Sequence, residues 1–319
     1  MDLNKKIEEK SKKIKEIYGE LDKLIIGQRI LIRDMLIALF SSGHILLEWA
    51  PWLAKTLSAE SLANIVSLDF NRIQFTPDLL PSDLIGSRIY NPESKEFFVK
   101  KWPVFSNLIL ADEINRAPSK VQSALLEAMA ERQVTIWDKS FKLEEPFMVL
   151  ATANPIEQDW TYNLPEAQLD RFLIKTVISY PSQEEEIEIV KNNLLEVPKK
   201  LSKVLTKKDI LDIRKLVSEI FVSDNILEYV RDIVFATRED DRFKNLIFYW
   251  ASPRASISMV RCAKVLAFLD WRDFVIPEDI KEIATSVLRH RIVLSYEAIA
   301  DNIITDDIIE NILSSIKVK

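Results

Sequence analysis

With 319 residues, 48% of them apolar and 29% charged, the chain is long enough to bury the cores of two ordinary domains, which excludes general disorder. Its 43 basic residues stand against 49 acidic ones, so the overall field does not draw nucleic acid, although a local basic patch stays open. The apolar runs are short and broken by charge, and the amino end, MDLNKKIEEKSKKIKEIYGE, has no signal-peptide core; no membrane span is expected and a cytoplasmic location is.

In chain order, Ile14, Ile17, Leu21, Leu24 and Ile25 fall on one stripe with lysines opposite, which predicts a first helix, and Leu31 to Phe40 predicts a second. From His44 the pattern changes to short apolar runs: HILLE (44–48), IVSLDF (65–70), NLILADE (107–113), FMVLATAN (147–154) and FLIKTVIS (172–179). Amphipathic stretches such as KVQSALLEAMAER separate them, which predicts a parallel sheet covered on both faces, an α/β domain. QVTIWDKSFKL alternates apolar and polar residues about a short turn and reads as a β-hairpin projecting from the sheet edge. Beyond Tyr180-Pro181-Ser182 every stretch from EEEIEIVKNNLL to TDDIIENILSSI is helix-patterned, so an all-α domain over 183–319 follows the α/β domain over 1–182.

Cys262 is the only cysteine, so an intrachain disulfide or a thiolate metal cluster is impossible and a buried thiol is expected. His44 and His290 are the only histidines, which argues against a histidine-built metal centre. The chemistry is carried instead by LLEWAPWLAKT (46–56), where a strand runs into a helix through Ala54-Lys55-Thr56. A phosphate-binding loop needs G-x-x-x-x-G-K-[ST] there, because its backbone N–H groups must point at the phosphates and the following helix offers its positive end. Lys55 would reach the β and γ phosphates and Thr56 would offer its hydroxyl to Mg²⁺. An ordinary strand-to-helix turn accounts for this stretch equally well on its own. LILADE then delivers Asp112 and Glu113 to the carboxyl end of a buried strand, where Asp112 could hold the Mg²⁺ shell and Glu113 activate water. ATAN ends a third strand on Asn154, a neutral group able to position the same water.

GHILLE, RIQFTPDLLPSD, LADEINRAPSKVQSALLEAMAERQVTI, ATANPIEQ, LPEAQLDRFLIK, ASPRAS and VLRHRIVLSYEA together resemble the MoxR branch of the AAA+ ATPases, over about residues 20 to 315. The resemblance implies a P-loop αβα domain with a helical lid, the nucleotide between them, and ATP hydrolysis with Mg²⁺ in a homo-oligomeric ring, a hexamer. It implies a cofactor-binding loop of Trp49, Ala50, Pro51, Trp52, Leu53, Ala54, Lys55 and Thr56, with Lys55 and Thr56 as Walker A and Asp112 and Glu113 as Walker B. Thr56 and Asp112 would serve the metal. Asn154 matches sensor 1, Arg254 matches sensor 2, and Arg171 matches the arginine finger that reaches the neighbouring subunit's γ phosphate. Chaperone-like maturation of an unnamed client, with a partner carrying a von Willebrand factor A domain, is also implied. FTPDLLPSDLIGSRIY matches an insert of this branch. A motor subunit like that of magnesium chelatase shares the insert and stays open; a DNA-acting motor is opposed by the acidic balance and by the lack of a winged-helix candidate after residue 319.

Where the family pattern is LLEGxPGLAKT, this chain has Trp49 and Trp52. Trp102, Trp137, Trp160, Trp250 and Trp271 likewise stand where the resemblance leads one to expect glycine, so all 7 tryptophans do. Glycine averages about 7% of residues, and seven substitutions landing there by chance has a probability of about one in a hundred million. The chain also has only 4 glycines, Gly19, Gly27, Gly43 and Gly86, against roughly twenty-two expected. Two readings follow. Real indoles at 49 and 52 would fill the phosphate volume and leave a nucleotide-dead scaffold. A gene that uses UGA as a glycine codon, here rendered as tryptophan, would restore the loop.

Overall fold

The computed structural model describes residues 3–49, 55–93, 95–100, 103–153, 162–178, 180–194 and 200–318. Helices α1 (Leu3–Leu21) and α2 (Arg29–Phe40) precede strand β1 (Ile45–Trp49), helix α3 (Lys55–Ile65), strand β2 (Phe70–Gln74) and helix α4 (Pro81–Ile85). Strands β3 (Ser87–Asn91) and β4 (Glu96–Lys100) form a hairpin before β5 (Leu108–Asp112) and α5 (Ser119–Glu131). Next come β6 (Gln133–Ile136), β7 (Lys139–Lys142), β8 (Met148–Ala153), α6 (Glu166–Leu169) and β9 (Ile174–Ile178). The remainder is α7 (Gln183–Leu194), α8 (Lys207–Glu219), α9 (Asp224–Glu239), β10 (Ile247–Tyr249), α10 (Pro253–Leu269), α11 (Pro277–Leu288), β11 (Val293–Leu294), α12 (Tyr296–Ala300) and α13 (Thr305–Ser315).

One five-stranded sheet, all parallel, has the order β2-β5-β8-β1-β9. Its central strands are apolar on both sides because both faces are covered. Ile45, Leu47, Leu108, Leu110, Met148 and Leu150 point into one core with the amino-terminal helices and the lid helices. Leu46, Ile109, Ala111, Val149 and Ala151 point into a second core against α5. The change of element type near residue 183 is therefore not a division between cores: Ile17 of α1 and Leu36 of α2 share theirs with Ile233, Met259 and Ile283.

Two expectations shift. The strand read at 65–70 lies at Phe70–Gln74, because Ile65 ends α3, Val66 packs below it, and Ser67 turns the chain at φ 51. As an edge strand with only Ile73 buried, FNRIQ had no apolar run to display. The helical half also carries a small antiparallel pair, β10 with β11. Ser and Thr caps open several of its helices; the Thr206 side chain accepts from the Asp209 N–H while Asp209 accepts from the Thr206 N–H. Among the described residues no helix is long and apolar enough to cross a membrane.

The expected hairpin is β6–β7, paired from Gln133↔Lys142 to Ile136↔Lys139. Trp137 is the first residue of its two-residue loop, at φ 59 and 78% exposed. Trp271 has φ 65 just past α10; its N–H donates to the Phe268 carbonyl and the Arg272 N–H to the Ala267 carbonyl. Those are the paired bonds of a Schellman cap, whose left-handed residue is usually glycine. Trp49 closes β1 opposite Ile178, and Trp250 is exposed after β10. Trp52, Trp102 and Trp160 lie outside the described residues.

Candidate functional site

Parallel strands direct their carboxyl ends, and the loops after them, to one edge of the sheet, where open α/β folds bind ligands. At that edge Asp112 ends β5, with 1% of its side chain exposed. The Lys55 ammonium, at the start of α3, donates to Asp112 Oδ1 at 2.6 Å, and the Thr152 hydroxyl of β8 donates to the same oxygen at 2.7 Å. Arg72 of β2 grips the other oxygen with Nε at 3.1 Å and Nη2 at 2.6 Å. Burial by itself would raise the Asp112 carboxyl, but the bonds from Lys55, Thr152 and Arg72 outweigh it and hold the group below its ordinary value. Two cations on one carboxylate leave the edge with positive charge to spare, which suits a polyanion.

Glu113 follows in the left-handed region, φ 58 and ψ 52. Its N–H donates to the Thr152 hydroxyl at 2.8 Å, while its carboxylate accepts from Gln74 Nε2 at 2.6 Å and pairs with Arg116 at 3.2 Å. A non-glycine residue held there stores backbone strain, and the Thr152 bond fixes it. Thr56 lies one residue into α3 and is half-buried. Trp49 closes β1 at this edge, whereas Ala50, Pro51, Trp52, Leu53, Ala54 and Asn154 lie outside the described residues.

Arg171 and Arg254 are not at this edge. Arg171 precedes β9, and that five-residue strand separates it by about 17 Å from the carboxyl ends. The Arg171 guanidinium donates to the Leu126 carbonyl and is otherwise exposed. Arg254 Nη1 reaches Asp170 Oδ2 at 3.2 Å, and buried Arg291 holds Asp170 Oδ1 at 2.7 Å. Asp170 thus sets Arg254 beside Arg171. Together with Arg132, Arg261 and Arg291 they line a polar cavity of about 590 Å³ at the amino edge of the sheet.

Arg72, Thr152, Asp170 and Arg291 escaped the sequence reading. Thr152 left a trace, as the lone hydroxyl within the apolar run of β8; Arg72 left none, because an exposed strand charge is ordinary. Asp112 and Thr56 offer hard oxygen donors of the kind Mg²⁺ takes. Among the described residues no group of three or more His, Cys, Asp or Glu could hold a metal by itself.

Residues 44–174 match the model of the ATPase family associated with various cellular activities, and residues 240–312 match that of the AAA lid domain. The Chaperone MoxR1 of Mycobacterium tuberculosis is 46% identical over 93% of this chain and 80% of its own length. The chain belongs to the MoxR family of AAA+ ATPases. The uncharacterized protein YeaC of Bacillus subtilis is 42% identical over 93% of this chain and 92% of its own length. The crystal structure of a candidate ATPase from Cytophaga hutchinsonii superposes with a TM-score of 0.92 at 49% identity, covering 99% of this chain and 98% of that one.

Proposed function

We propose that this MoxR-family chain hydrolyses ATP as a subunit of a head-to-tail ring, a hexamer, with glycine at its seven tryptophan positions, and that hydrolysis drives chaperone-like maturation of a client protein. The observation that carries the reading is the division of charge between the two sheet edges: Lys55 on Asp112 at one, Arg171 beside Arg254 at the other. Lys55 leaves Asp112 for the β and γ phosphates, which keeps its charge paired throughout. Glu113, aimed by Gln74 and Arg116, takes a proton from water as that oxygen bonds to the γ phosphorus and the bond to the β–γ bridging oxygen breaks. Asn154 orients the same water. Mg²⁺, held through Asp112 and Thr56, supplies charge neutralisation at the phosphates. Arg171 and Arg254 cannot serve the nucleotide of their own subunit across the sheet; they serve the neighbour's, where positive charge stabilises the transferring group.

Glycine at the tryptophan positions is supported by backbone geometry. Bulky residues in the left-handed region are outliers, yet Trp137 and Trp271 both sit there. A partner with a von Willebrand factor A domain and a cytoplasmic setting complete the reading. Its test is ATP turnover by two chains made side by side, one with tryptophan and one with glycine at 49, 52, 102, 137, 160, 250 and 271. Steady hydrolysis by the glycine chain alone is expected; equal turnover by the tryptophan chain would remove the case for glycine, and none by either would remove the ATPase.

A further inference from the structure

A cavity of about 610 Å³ opens where α8, α9 and α10 meet the end of α2, and its walls are apolar: Phe40, Val217, Val230 and Val260, with Leu227 and Ile257 at the mouth, 46% and 59% exposed. Cations ring it. Arg261 and Lys264 donate to the Ser41 and Ser218 carbonyls and face no carboxylate among the described residues. Arg214 bonds Glu145, but its Nη2 is buried with no hydrogen-bond partner among the described residues. An apolar groove with surplus positive charge fits an acidic amphipathic helix.

This chain carries such a helix. In α7 (QEEEIEIVKNNL) Ile187 and Val190 are 57% and 53% exposed, on one side of the helix, and Glu184, Glu186 and Glu188 are exposed around them. None of its described residues belongs to either core, and a helix of 12 residues has little stability without a partner. It cannot fill the groove of its own subunit. The groove includes Ser41 and Ser42, just before β1 at the amino edge, whereas α7 follows β9 at the carboxyl edge, about 17 Å of strand away. The groove is continuous with the Arg171–Arg254 cavity through Ser42, Ile257 and Arg261.

We infer that α7 of one copy docks in the groove of the next, with Ile187 and Val190 on its apolar wall and the glutamates against Arg261 and Lys264. This rests on the ring reading, since a head-to-tail contact brings one copy's carboxyl edge to the other's amino edge.

The test is sedimentation velocity of the full chain, glycine at the seven positions, with ATP over a range of protein concentrations. Ile187→Asp with Val190→Asp is expected to raise the concentration for half-assembly at least ten-fold, with the monomer's circular dichroism unchanged. Lys264→Glu is expected to weaken assembly, and adding Glu186→Lys and Glu188→Lys to recover it. If the parent assembles and the double aspartate variant assembles equally well, the docking fails and the ring stands. Absence of charge-swap recovery also overturns it. A parent that remains monomeric at every concentration ends the ring reading and the docking together.

Discussion

Asp112 is the residue on which the candidate site turns. Buried to 1% exposure, it is tolerable as a charge only because Lys55, Thr152 and Arg72 occupy its lone pairs. Its folded form binds a proton more weakly than its unfolded form. The stability it contributes is therefore complete above the unfolded carboxylate value and is lost as pH falls through the lower, folded one. Acid unfolding followed by fluorescence should show this: Asp112→Asn is expected to flatten the loss of stability below the carboxylate range, and an unchanged profile would show that other carboxylates dominate. Glu113 differs, as it ends in an exposed pair with Gln74 and Arg116 rather than in a buried cage. Glu113→Gln keeps the shape and the Gln74 contact but not the base. ATP should still bind, and turnover should fall by about 10²- to 10⁴-fold; turnover within a factor of two of the parent would remove Glu113 from the role.

At the scale of elements, the cap after α10 and the loop between β6 and β7 carry the clearest backbone signal. The left-handed region costs a residue with a Cβ about 1–2 kcal/mol. Trp271 also gains from its ring, since the Lys15 ammonium lies 4.3 Å from the indole centroid, a contact worth about 0.5–1 kcal/mol where exposed. At 36% exposure the Trp271 ring also covers apolar surface, which offsets the backbone term. Trp137, 78% exposed, has little such offset. Trp137→Gly should therefore stabilise the chain by about 1 kcal/mol in urea unfolding; a loss of stability would mean that the indole is native to the turn. The misplaced β2 belongs to this scale as well. Central strands such as LILAD announce themselves because both their faces are covered, but an edge strand keeps its polar residues and hides its register.

At the scale of the whole molecule, the five parallel strands keep Lys55 and Asp112 apart from Arg171 and Arg254 by the full length of a strand. No closure of the lid over its own sheet edge brings Arg254 to Lys55 while Asp170 and Arg291 hold it. Two inactive variants should therefore complement each other: Lys55→Ala lacks a working nucleotide edge but offers arginines, and Arg171→Ala does the reverse. Mixed subunits are expected to recover at least a tenth of parental turnover, where either alone gives none; a mixture as inactive as its components would place the arginine's work within one subunit. The same separation keeps the apolar face of α7 away from its own lid groove.

The sequence by itself determined the class of fold, the hairpin and the helical second half, and singled out Lys55, Thr56, Asp112 and Glu113 as candidates, because those follow from local periodicity and from spacing along a strand-to-helix junction. It also marked the seven tryptophans, since composition is a property of the string alone. Only the tertiary structure decided which groups meet. Arg72 reaches Asp112 from 40 residues away and Arg291 reaches Asp170 from 121, and no local pattern records a contact between distant segments. Direction along the sheet is likewise a tertiary property: LDRF and SPRAS look alike to a reader whichever edge they occupy, and it is the parallel pairing of β9 with β1 that sends Arg171 to the edge opposite Lys55.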